Sequence, residues 1–441
     1  MAGGAAWIWA GRQPGPTVQF RQPDHFVGQS STLELMVQAP AGLLSSLDVT
    51  VEQGGKSYPV FTIDRPTQPG AADRFYVMRP IGKRAIPALQ PGPARIVVRA
   101  ARPLLRGMRQ VASVSTRDVQ VRLEPPQASV VSRFHYVNLG GAEFVVYRAT
   151  PADVESGVRV GDRTYPGFPA TAVGVRNDPA LHVAFFALSY DQDVNAPISV
   201  FATDPAGNTA VAMVDHMAFP KPFSRSTIPI DGWVARVVPP IVANTPEMQL
   251  STAPEDLAQT FVRINGDLRR RNAVTIAALA GKTAPEMLWK EPFQPLGNAA
   301  IEAKFADFRT YTYKGKDIDR QVHLGFDLAV TQQVPILAAQ HGVVVHAAYL
   351  GIYGNCVIID HGLGVQTLYG HLSSIGVKVG DTLEKGQAIG RSGMTGLAAG
   401  DHLHFTVLVN GTPVNPIEWW DTKWMQDRVF RKIMEAGGSV T

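Results

Sequence analysis

The stretch that decides the fold of this chain is Val322–Val409. It holds three blocks, His323-Leu-Gly-Phe-Asp327, Tyr369-Gly-His371-Leu372 and His402-Leu-His404-Phe405. Seven of the eleven histidines lie between His323 and His404, so any histidine-based chemistry is expected here. The run Leu403–Val409 is rich in aromatic, β-branched and aliphatic residues, which favours a strand. We therefore predict a β domain built around a cluster of histidines.

The spacing of these histidines suits a metal site. His402 and His404 are two residues apart, and alternate side chains of a strand share one face. His323 and Asp327 lie four residues apart and add a third imidazole and a carboxylate. Groups of these kinds can supply three zinc ligands and leave a fourth position open, which is the arrangement of a catalytic zinc site.

The three blocks resemble the lysostaphin-type (LytM) zinc endopeptidases, a family that cuts peptide bonds in bacterial peptidoglycan. The family pattern is H-x-G-x-D, then Y-x-H-L, then H-L-H-F, and all three stand here in that order. Gly354–Gly362 and Val379–Gly390 are also similar to the family, and the resemblance covers roughly Leu296–Trp420. It implies a small all-β peptidase domain with one zinc ion per chain.

Taken position by position, the resemblance assigns roles to five residues. It implies that His323, Asp327 and His404 hold zinc. It also implies that His371 and His402 are the catalytic histidines. Their expected work is to orient or deprotonate water, stabilise the developing oxyanion and protonate the leaving amine. Strand geometry alone leaves open which of His402 and His404 touches the metal.

Three neighbouring positions bear on substrate recognition. Tyr369 precedes His371 by two residues and, on an extended strand, would share its face, so it is a candidate substrate-binding residue; plain packing is the alternative. Asp401 stands where the family often has a proline, and Thr406 stands where it often has a glutamate. Both departures are expected to alter the groove and the substrate preference.

The other histidines and the single cysteine of this region have plainer interpretations. His361 could reach a ligand from its turn, but a surface position is the simpler expectation. His341 and His346 are expected to be structural. Cys356 excludes an intramolecular disulfide because it is the only cysteine, and it is either a small buried thiol or a nucleophile.

Composition sets the outer limits. A chain of 441 residues suggests about three domains. Hydrophobic residues at 45% and charged residues at 18% are typical of globular proteins. A net charge of +4 is too small to indicate nucleic-acid binding, yet it does not oppose an anionic cell-wall polymer.

Residues 1–15 suggest the end of a membrane anchor. They are apolar for only about ten residues, whereas a spanning helix needs roughly 20, and the basic leader of a secretory signal is missing. Trp7 and Trp9 would suit a membrane interface. We therefore expect an extracytoplasmic protein, periplasmic and anchored to the inner membrane.

Alternating strands fill the first half of the chain. Residues 16–125, with runs such as Thr32–Val37, predict a β-sandwich module. Residues 126–219 predict a second β-sandwich, and Asp204–Thr209 resembles the link between strands in bacterial immunoglobulin-like modules. These modules are expected to act as spacers or to contact cell-wall proteins.

Residues 220–295 predict a helical linker that packs beside the cleft or covers it. Thr252–Glu255 forms a capping box, and an apolar face follows. We expect this helix to end near Arg269–Arg271, three arginines that either complement the helix dipole or grip an anionic ligand. A short helix at Pro285–Trp289 is also possible. The apolar face consists of Leu257, Phe261, Ile264 and Leu268.

The expected architecture is therefore mainly β and multidomain: two β-sandwich modules, a helical connecting segment, an all-β peptidase domain at 296–420 and a C-terminal helix at 421–441. The leading function is zinc-dependent hydrolysis of peptidoglycan stem peptides or crosslinks. One alternative is a non-catalytic activator or binding protein for a cell-wall amidase. Another is a biotinyl or lipoyl carrier, suggested by Val377–Gly390, although the lysine hairpin of carriers is absent.

Overall fold

The computed structural model describes residues 13–40, 44–64, 73–176, 178–329 and 331–438. The fold is mainly β, as predicted, and residues 1–12, where most of the proposed membrane anchor falls, lie outside the described part. In the described part no helix is long and apolar enough to cross a bilayer. The chain divides into two compact units, the first comprising residues up to 127 with 153–155 and 202–210, and the second comprising 128–152, 156–201 and residues from 211 onward.

The first unit contains two sheets that share one hydrophobic core. One sheet has the order β1-β3-β6 and the other has the order β2-β8-β7-β4-β5. Alternate residues of β3, including Leu33, Leu35 and Val37, are buried because their polar neighbours take the outer face. The strands are β1 (Thr17–Gln22), β2 (Phe26–Val27), β3 (Thr32–Gln38), β4 (Ser46–Gln53), β5 (Lys56–Ile63), β6 (Arg74–Pro80), β7 (Gly92–Leu104) and β8 (Arg109–Val121).

Strands between residues 127 and 219 form two four-stranded sheets and one parallel pair. The orders are β14-β15-β11-β9, β13-β12-β16-β17 and β10-β18. The immunoglobulin-like identity of this region stays a prediction. The strands are β9 (Gln127–Val130), β10 (His135–Asn138), β11 (Gly141–Thr150), β12 (Glu155–Val160), β13 (Arg163–Pro166), β14 (Phe168–Pro169), β15 (Leu181–Leu188), β16 (Ile198–Thr203), β17 (Thr209–Met213) and β18 (His216–Phe219).

The C-terminal part is built mainly from antiparallel strands, with β19 and β21 as a parallel pair. Its main sheet has the order β20-β23-β31-β27-β26-β25-β29, with β32 paired to β31. Two three-stranded sheets, β19-β21-β22 and β24-β30-β28, complete it. The strands are β19 (Arg225–Pro229), β20 (Ala300–Ala303), β21 (Asp307–Tyr313), β22 (Lys316–His323), β23 (Phe326–Ala329), β24 (Pro335–Leu337), β25 (Gly342–Tyr349), β26 (Asn355–Asp360), β27 (Val365–Leu372), β28 (Ser374–Ile375), β29 (Thr382–Leu383), β30 (Ala388–Arg391), β31 (His402–Val409) and β32 (Thr412–Val414).

Helices occupy the linker and the C-terminus. Two π-helical turns, Ile264–Leu268 and Gln426–Phe430, join consecutive helices. Short 3-10 turns occur at Leu105–Gly107, Ala170–Val173, Pro246–Met248 and Gly351–Tyr353. The α-helices are α1 (Val234–Ala243), α2 (Leu257–Arg263), α3 (Arg269–Ala280), α4 (Pro416–Trp420), α5 (Thr422–Met425) and α6 (Arg431–Glu435).

Three expectations about the linker are wrong. Thr252–Glu255 does not form a capping box, because α2 begins at Leu257 after Asp256 and its N-cap makes no side-chain hydrogen bond. The helix does not end near Arg269–Arg271, because Ile276 and Leu279 continue its buried face through α3. Pro285–Trp289 is not helical. Its backbone amides bond elsewhere, that of Leu288 to the carbonyl oxygen of His361, so no helical ladder forms there.

The helical linker packs beside the C-terminal strands. Residues of α1 and α2 share one apolar cluster with Tyr311 of β21 and with Ile352. This packing fixes α1, α2 and the start of α3 next to the edge of the histidine region.

A buried carboxylate joins α4 to the strands that precede it. Glu418 accepts a hydrogen bond from Nδ2 of Asn138 at 2.7 Å and one from the backbone amide of Ala142 at 2.8 Å. Burial raises the pKa of Glu418 to about 7, with the nearby Glu143 adding to the effect. The side chain therefore changes charge near neutral pH without leaving the interior.

This carboxylate predicts a pH-dependent stability. A pKa that is raised by folding means that the folded chain binds the proton more tightly, so the contribution is complete at low pH and is lost as pH rises through about 7. We expect the free energy of unfolding of the wild type, relative to Glu418→Gln, to fall by about 2.5 kcal/mol between pH 5 and pH 8. Urea unfolding at both pH values measures this. Glu255→Gln, at an exposed position, is the control, and an unchanged difference for Glu418→Gln would contradict the prediction.

Candidate metal centre

The register of the main sheet brings the histidine blocks together. β31 lies between β23 and β27, so His404 has Asp327 on one side and Gly370 on the other. His323 is the last residue of β22, opposite Asp307 of β21. Residues 81 positions apart in the sequence, His323 and His404, thereby become neighbours.

Three side chains converge on one point. Nε2 of His323 lies 2.9 Å from Oδ1 of Asp327 and 3.0 Å from Nδ1 of His404. Nδ1 of His404 lies 3.0 Å from the same Oδ1. All three side chains are buried, and their donor atoms lie within 4.8 Å of one another. The group is thus one carboxylate oxygen and two imidazole nitrogens.

The other nitrogen of each imidazole has a fixed partner, which defines the tautomer. Nδ1 of His323 donates to the carbonyl oxygen of Lys304 at 3.1 Å. The hydroxyl of Thr406 donates to the carbonyl oxygen of Leu324 at 2.9 Å, so its oxygen accepts from Nε2 of His404 at 3.0 Å. The proton of each neutral ring is therefore on the outer nitrogen, and the converging nitrogens carry lone pairs.

The carboxylate is held ionised by its surroundings. Burial alone would raise the pKa of Asp327, but His323 and the other histidines around it hold the pKa well below its usual value. Nη2 of Arg309 donates to Oδ2 at 3.0 Å, leaving Oδ1 for the convergence point. Nε of Arg309 binds Asp307 at 3.1 Å, which fixes the guanidinium.

This donor set fits a divalent cation. The converging atoms of His323, Asp327 and His404 face one another at 2.9–3.0 Å, and a positive charge between them, a shared proton or a bound cation, stabilises this arrangement. Burial lowers the pKa of His404 to about 4, so its ring is neutral at neutral pH, as a ligand must be. Two imidazoles and one carboxylate are ordinary zinc ligands, and three of them leave a fourth position open.

Two more histidines stand beside this group. Nδ1 of His371 donates to the carbonyl oxygen of Thr395 at 2.8 Å, and Nδ1 of His402 donates to that of Gly400 at 2.9 Å. Nε2 of His371 is left with a lone pair, and the two ring centroids are 4.8 Å apart. Nε2 of His402 lies 3.5 Å from Oδ1 of Asp327. Both histidines line the same cavity as the converging group.

The two rings differ in basicity. Burial holds the pKa of His371 well below its usual value, aided by the neighbouring His402 and His404. Burial also acts to lower the pKa of His402, but hydrogen bonding to Asp327 outweighs it and raises the pKa. The pair can therefore hold different protonation states at one pH, as a base and an acid must.

His371 has an unusual backbone. Its φ is 64°, in the left-handed region that costs a non-glycine residue about 1–3 kcal/mol. Packing over-determines this conformation, because the carbonyl oxygen of Thr395 holds the ring and Gly354, itself at φ 62°, leaves room for Thr395. With this backbone conformation, the side chain of His371 does not follow the alternation of the strand and instead lines the cavity.

The same turn makes the expectation for Tyr369 wrong. Tyr369 is paired with Phe405 in the sheet and is 1% exposed. Its hydroxyl accepts from the amide of Ala339 at 2.8 Å and from Thr367 at 3.0 Å, both inside the domain. Because His371 leaves the extended conformation, the two side chains do not share a face, and Tyr369 does not line the cavity.

The cavity beside the histidines has a volume of about 260 Å³. Some of its lining residues come from β20 and β21, which no sequence motif connected with the site. Tyr353 packs against His404 with the two rings tilted by 55° and their centroids 5.3 Å apart. The linker contributes residues as well, so it lies beside the cavity. These additional lining residues are Trp233, Arg269, Glu302, Arg309 and Tyr353.

The remaining candidates lie away from the cavity. His361 is 0% exposed, so the surface interpretation is wrong; its Nδ1 contacts the carbonyl oxygen of His341 and its Nε2 contacts Thr367, each at 2.7 Å. His341 itself lies 3.2 Å from Glu384. Cys356 is buried, and burial raises the pKa of its thiol, which does not suit a nucleophile.

Thr406 stands where the family often has a glutamate. Its replacement is expected to change metal affinity. Thr406→Val keeps the shape but removes the acceptor for Nε2 of His404. We expect zinc affinity to fall about 10- to 100-fold, the usual cost of losing such an outer partner. Competition with a chelating dye measures it. Thr382→Val, at an exposed position of β29, is the control, and an unchanged affinity for Thr406→Val would contradict the tautomer assignment.

Known proteins share this region. Residues 321–416 match the model of peptidase family M23. The DD-carboxypeptidase/endopeptidase Mpg of Neisseria meningitidis serogroup B is 42% identical over 97 residues, which are 22% of this chain and 22% of that protein. The peptidoglycan DD-endopeptidase ShyA of Vibrio cholerae serotype O1 is 43% identical over 96 residues, also 22% of each.

A metalloprotease of Haemophilus influenzae that is described as uncharacterized is 44% identical over 138 residues, 31% of this chain and 28% of that protein. The chain therefore spans under a third of the length of these curated relatives. Among solved structures, the catalytic domain of lysostaphin from Staphylococcus simulans aligns with a TM-score of 0.22 and 28% identity, covering 33% of this chain and 96% of that one.

Proposed function

We propose, from the premise that the C-terminal part of this chain is a domain of peptidase family M23, that the protein is a zinc-dependent endopeptidase. Its proposed substrates are peptide bonds in the stem peptides or crosslinks of peptidoglycan, and its proposed place of action is outside the cytoplasm. Relatives of the matched part are named as peptidoglycan DD-endopeptidases, which supports the choice of polymer.

One observation carries the proposal: two imidazole nitrogens and one carboxylate oxygen converge beside two further histidines that line the same cavity. His323, Asp327 and His404 supply the proposed metal ligands, within 4.8 Å of one another. His371 and His402 lie on the same cavity with their Nδ1 atoms anchored on backbone carbonyls. The presence of all five motif residues around one cavity favours a catalytic role over a non-catalytic binding role.

When bound, zinc supplies Lewis acidity: it polarises the scissile carbonyl and makes water a stronger acid at neutral pH. The residues around it do the rest. His371, kept neutral by burial, has a free Nε2 lone pair and can accept a proton from water. His402, whose Nδ1 is anchored on the carbonyl oxygen of Gly400, can carry a proton on Nε2, donate a hydrogen bond to the developing oxyanion and protonate the leaving amine.

Arg309 has a positioning role in this scheme. Its guanidinium binds Oδ2 of Asp327 and so presents Oδ1 toward the two imidazoles. The backbone carbonyls that bind His323 and His371 fix the rings in the same way. Preorganisation of this kind removes the reorganisation that a flexible site would need during the reaction.

Digestion of purified sacculi tests the proposal. The purified protein is expected to convert crosslinked muropeptide dimers to monomers, each cleavage adding one water, and mass spectrometry of the products identifies the bond. Chelation should stop the reaction and added zinc should restore it. Release of whole stem peptides from the glycan only when a partner amidase is present would instead support the activator alternative, and absence of both activities would overturn the proposal.

A further inference from the structure

A second cavity adjoins the metal centre and is lined by arginines. Its volume is about 630 Å³, and its lining includes Arg225, Arg269, Arg309 and Arg320 but no aspartate or glutamate. We call this surface the arginine groove. Arg269 and Arg309 also line the cavity at the metal centre, so the two cavities are neighbours that share these two side chains in their walls.

The charges of the groove are only partly compensated. Arg309 pairs with Asp307 and Asp327, at 3.1 and 3.0 Å. Arg320 pairs with Asp317 at 3.4 Å, where both side chains are mostly exposed. Within the described residues no carboxylate lies within 4.0 Å of the side-chain nitrogens of Arg225 or Arg269. Two guanidinium groups therefore remain available to an anionic ligand.

Arg269 is held in place rather than free in solvent. Its Nε donates to the backbone oxygen of Asn265 at 3.0 Å, and its Nη2 donates to Oδ1 of the same residue at 2.6 Å. Asn265 is 0% exposed and donates from Nδ2 to Asp319 of β22 at 2.7 Å. This chain of contacts uses one edge of the guanidinium and leaves the Nη1 hydrogens for a ligand.

The next arginine in the sequence shows the contrast. Arg270 is exposed and pairs with Asp267 on its own helical segment. Arg269 instead is half-buried between the two cavities. Arg225 is also fixed, because its guanidinium lies 5.2 Å from the centre of the Phe308 ring. The groove therefore combines the half-buried guanidinium of Arg269, which is held by Asn265, with the exposed guanidinium groups of Arg225 and Arg320 at its rim.

We propose that the arginine groove binds a free carboxylate of the peptide substrate while the scissile bond lies at the metal centre. The inference rests on the proposed function, since the ligand must place a peptide bond in the adjoining cavity. A carboxylate is the group on a peptide that matches a guanidinium in charge and in planar, two-point geometry. The groove thereby selects substrates with an unblocked acidic group near the cleaved bond.

Paired substrates test this inference. The same crosslinked muropeptide dimer is prepared with all carboxylates free, with only the C-terminal carboxylate amidated, with only the side-chain carboxylates amidated, and with all of them amidated. We expect kcat/KM to fall about 10- to 100-fold when the recognised carboxylate is amidated, as for loss of a hydrogen bond to a charged group. The loss should be mainly in KM, because the contact exists before the chemical step. The singly amidated substrates identify which carboxylate is bound.

Arg269→Gln is the decisive variant, with Arg270→Gln as its matched control. Arg269→Gln should cleave the free and the fully amidated dimers at similar kcat/KM, whereas Arg270→Gln should keep the preference of the wild type. Arg320→Gln, at the exposed rim, should reduce the preference by less than Arg269→Gln. Equal cleavage of free and amidated dimers by the wild type, or an undiminished preference in Arg269→Gln, overturns the inference.

Calorimetric titration separates this inference from the proposed function. The free and the fully amidated dimers are titrated into His371→Ala and into the double variant His371→Ala/Arg269→Gln. If His371→Ala binds the free dimer more tightly than the amidated dimer, and the double variant binds both equally, the inference is supported even if the wild type cleaves nothing. Equal binding of both dimers to both proteins would overturn it even if the wild type were an active endopeptidase.

Discussion

Replacing His404 with alanine is expected to remove zinc from the protein and to lower peptide hydrolysis by about 10³-fold or more. Nδ1 of His404 lies 3.0 Å from both Nε2 of His323 and Oδ1 of Asp327, so it forms one corner of the converging set. Loss of an outer partner of a ligand already costs about 10- to 100-fold in affinity or activity. Loss of the ligand itself leaves two groups, which do not hold the ion against water.

The measurements are metal content by mass spectrometry and the rate of muropeptide cleavage. His341→Ala is the matched control, because His341 lies in the same domain but pairs with the exposed Glu384 away from the cavity. The control should keep both zinc and activity. Full activity in His404→Ala, or loss of zinc without loss of activity, would show that the converging group does not carry the reaction.

Replacing His371 with alanine is expected to lower the rate by about 10²- to 10⁴-fold while zinc stays bound, as for the loss of a general base or acid. The ring does not belong to the converging set, but its Nε2 lone pair faces the same cavity. The effect should fall on kcat, because a proton transfer is made only in the transition state.

The strained backbone of His371 also predicts a difference in stability between its glycine and alanine variants. Its φ of 64° suits glycine better than alanine. His371→Gly should therefore match His371→Ala in rate while unfolding at a higher denaturant concentration. An unchanged rate with zinc still bound in either variant would remove the acid–base role assigned to His371.

The shared face of His402 and His404 could be predicted from the sequence because both residues lie on a strand with simple alternation. His402 and His404 both line the cavity, as a shared strand face predicts. The mainly β class likewise follows from short alternating runs. What brought in Asp327 and His323 as partners was the resemblance of their motif, since β23 meets β31 only through the register of the main sheet and β22 lies in a separate sheet with β19 and β21.

Tyr369 shows where local pattern fails. The rule that residues two apart share a face holds only while the strand is extended, and His371 departs from it at φ 64°. That departure is set by a contact with Thr395, 24 residues away, and no local signal reports it. The same limit applies to the helix expected to end at Arg269–Arg271, which continues because α3 packs against distant strands.

Arg309 was missed as a site residue for a related reason, and Arg269 was considered only within a run of three arginines that either complement the helix dipole or grip an anionic ligand. Each is an ordinary surface-type residue in its own sequence context. Arg309 becomes important only because β21 pairs with β22, which sets its guanidinium 3.0 Å from Asp327. Arg269 becomes important because the linker helices pack beside the cavity. The sequence signal that could have identified Arg309 is an unexplained arginine on the strand pair that precedes the carboxylate ligand Asp327.

The most direct test of the central claim is a zinc titration of the metal-free protein, followed by cleavage of a crosslinked muropeptide dimer. The converging group of His323, Asp327 and His404 predicts that activity rises in proportion to added zinc and reaches its plateau at about one ion per chain. Metal-free protein that cleaves the dimer at the full rate, or that gains no activity at any zinc concentration while remaining folded, would contradict the account.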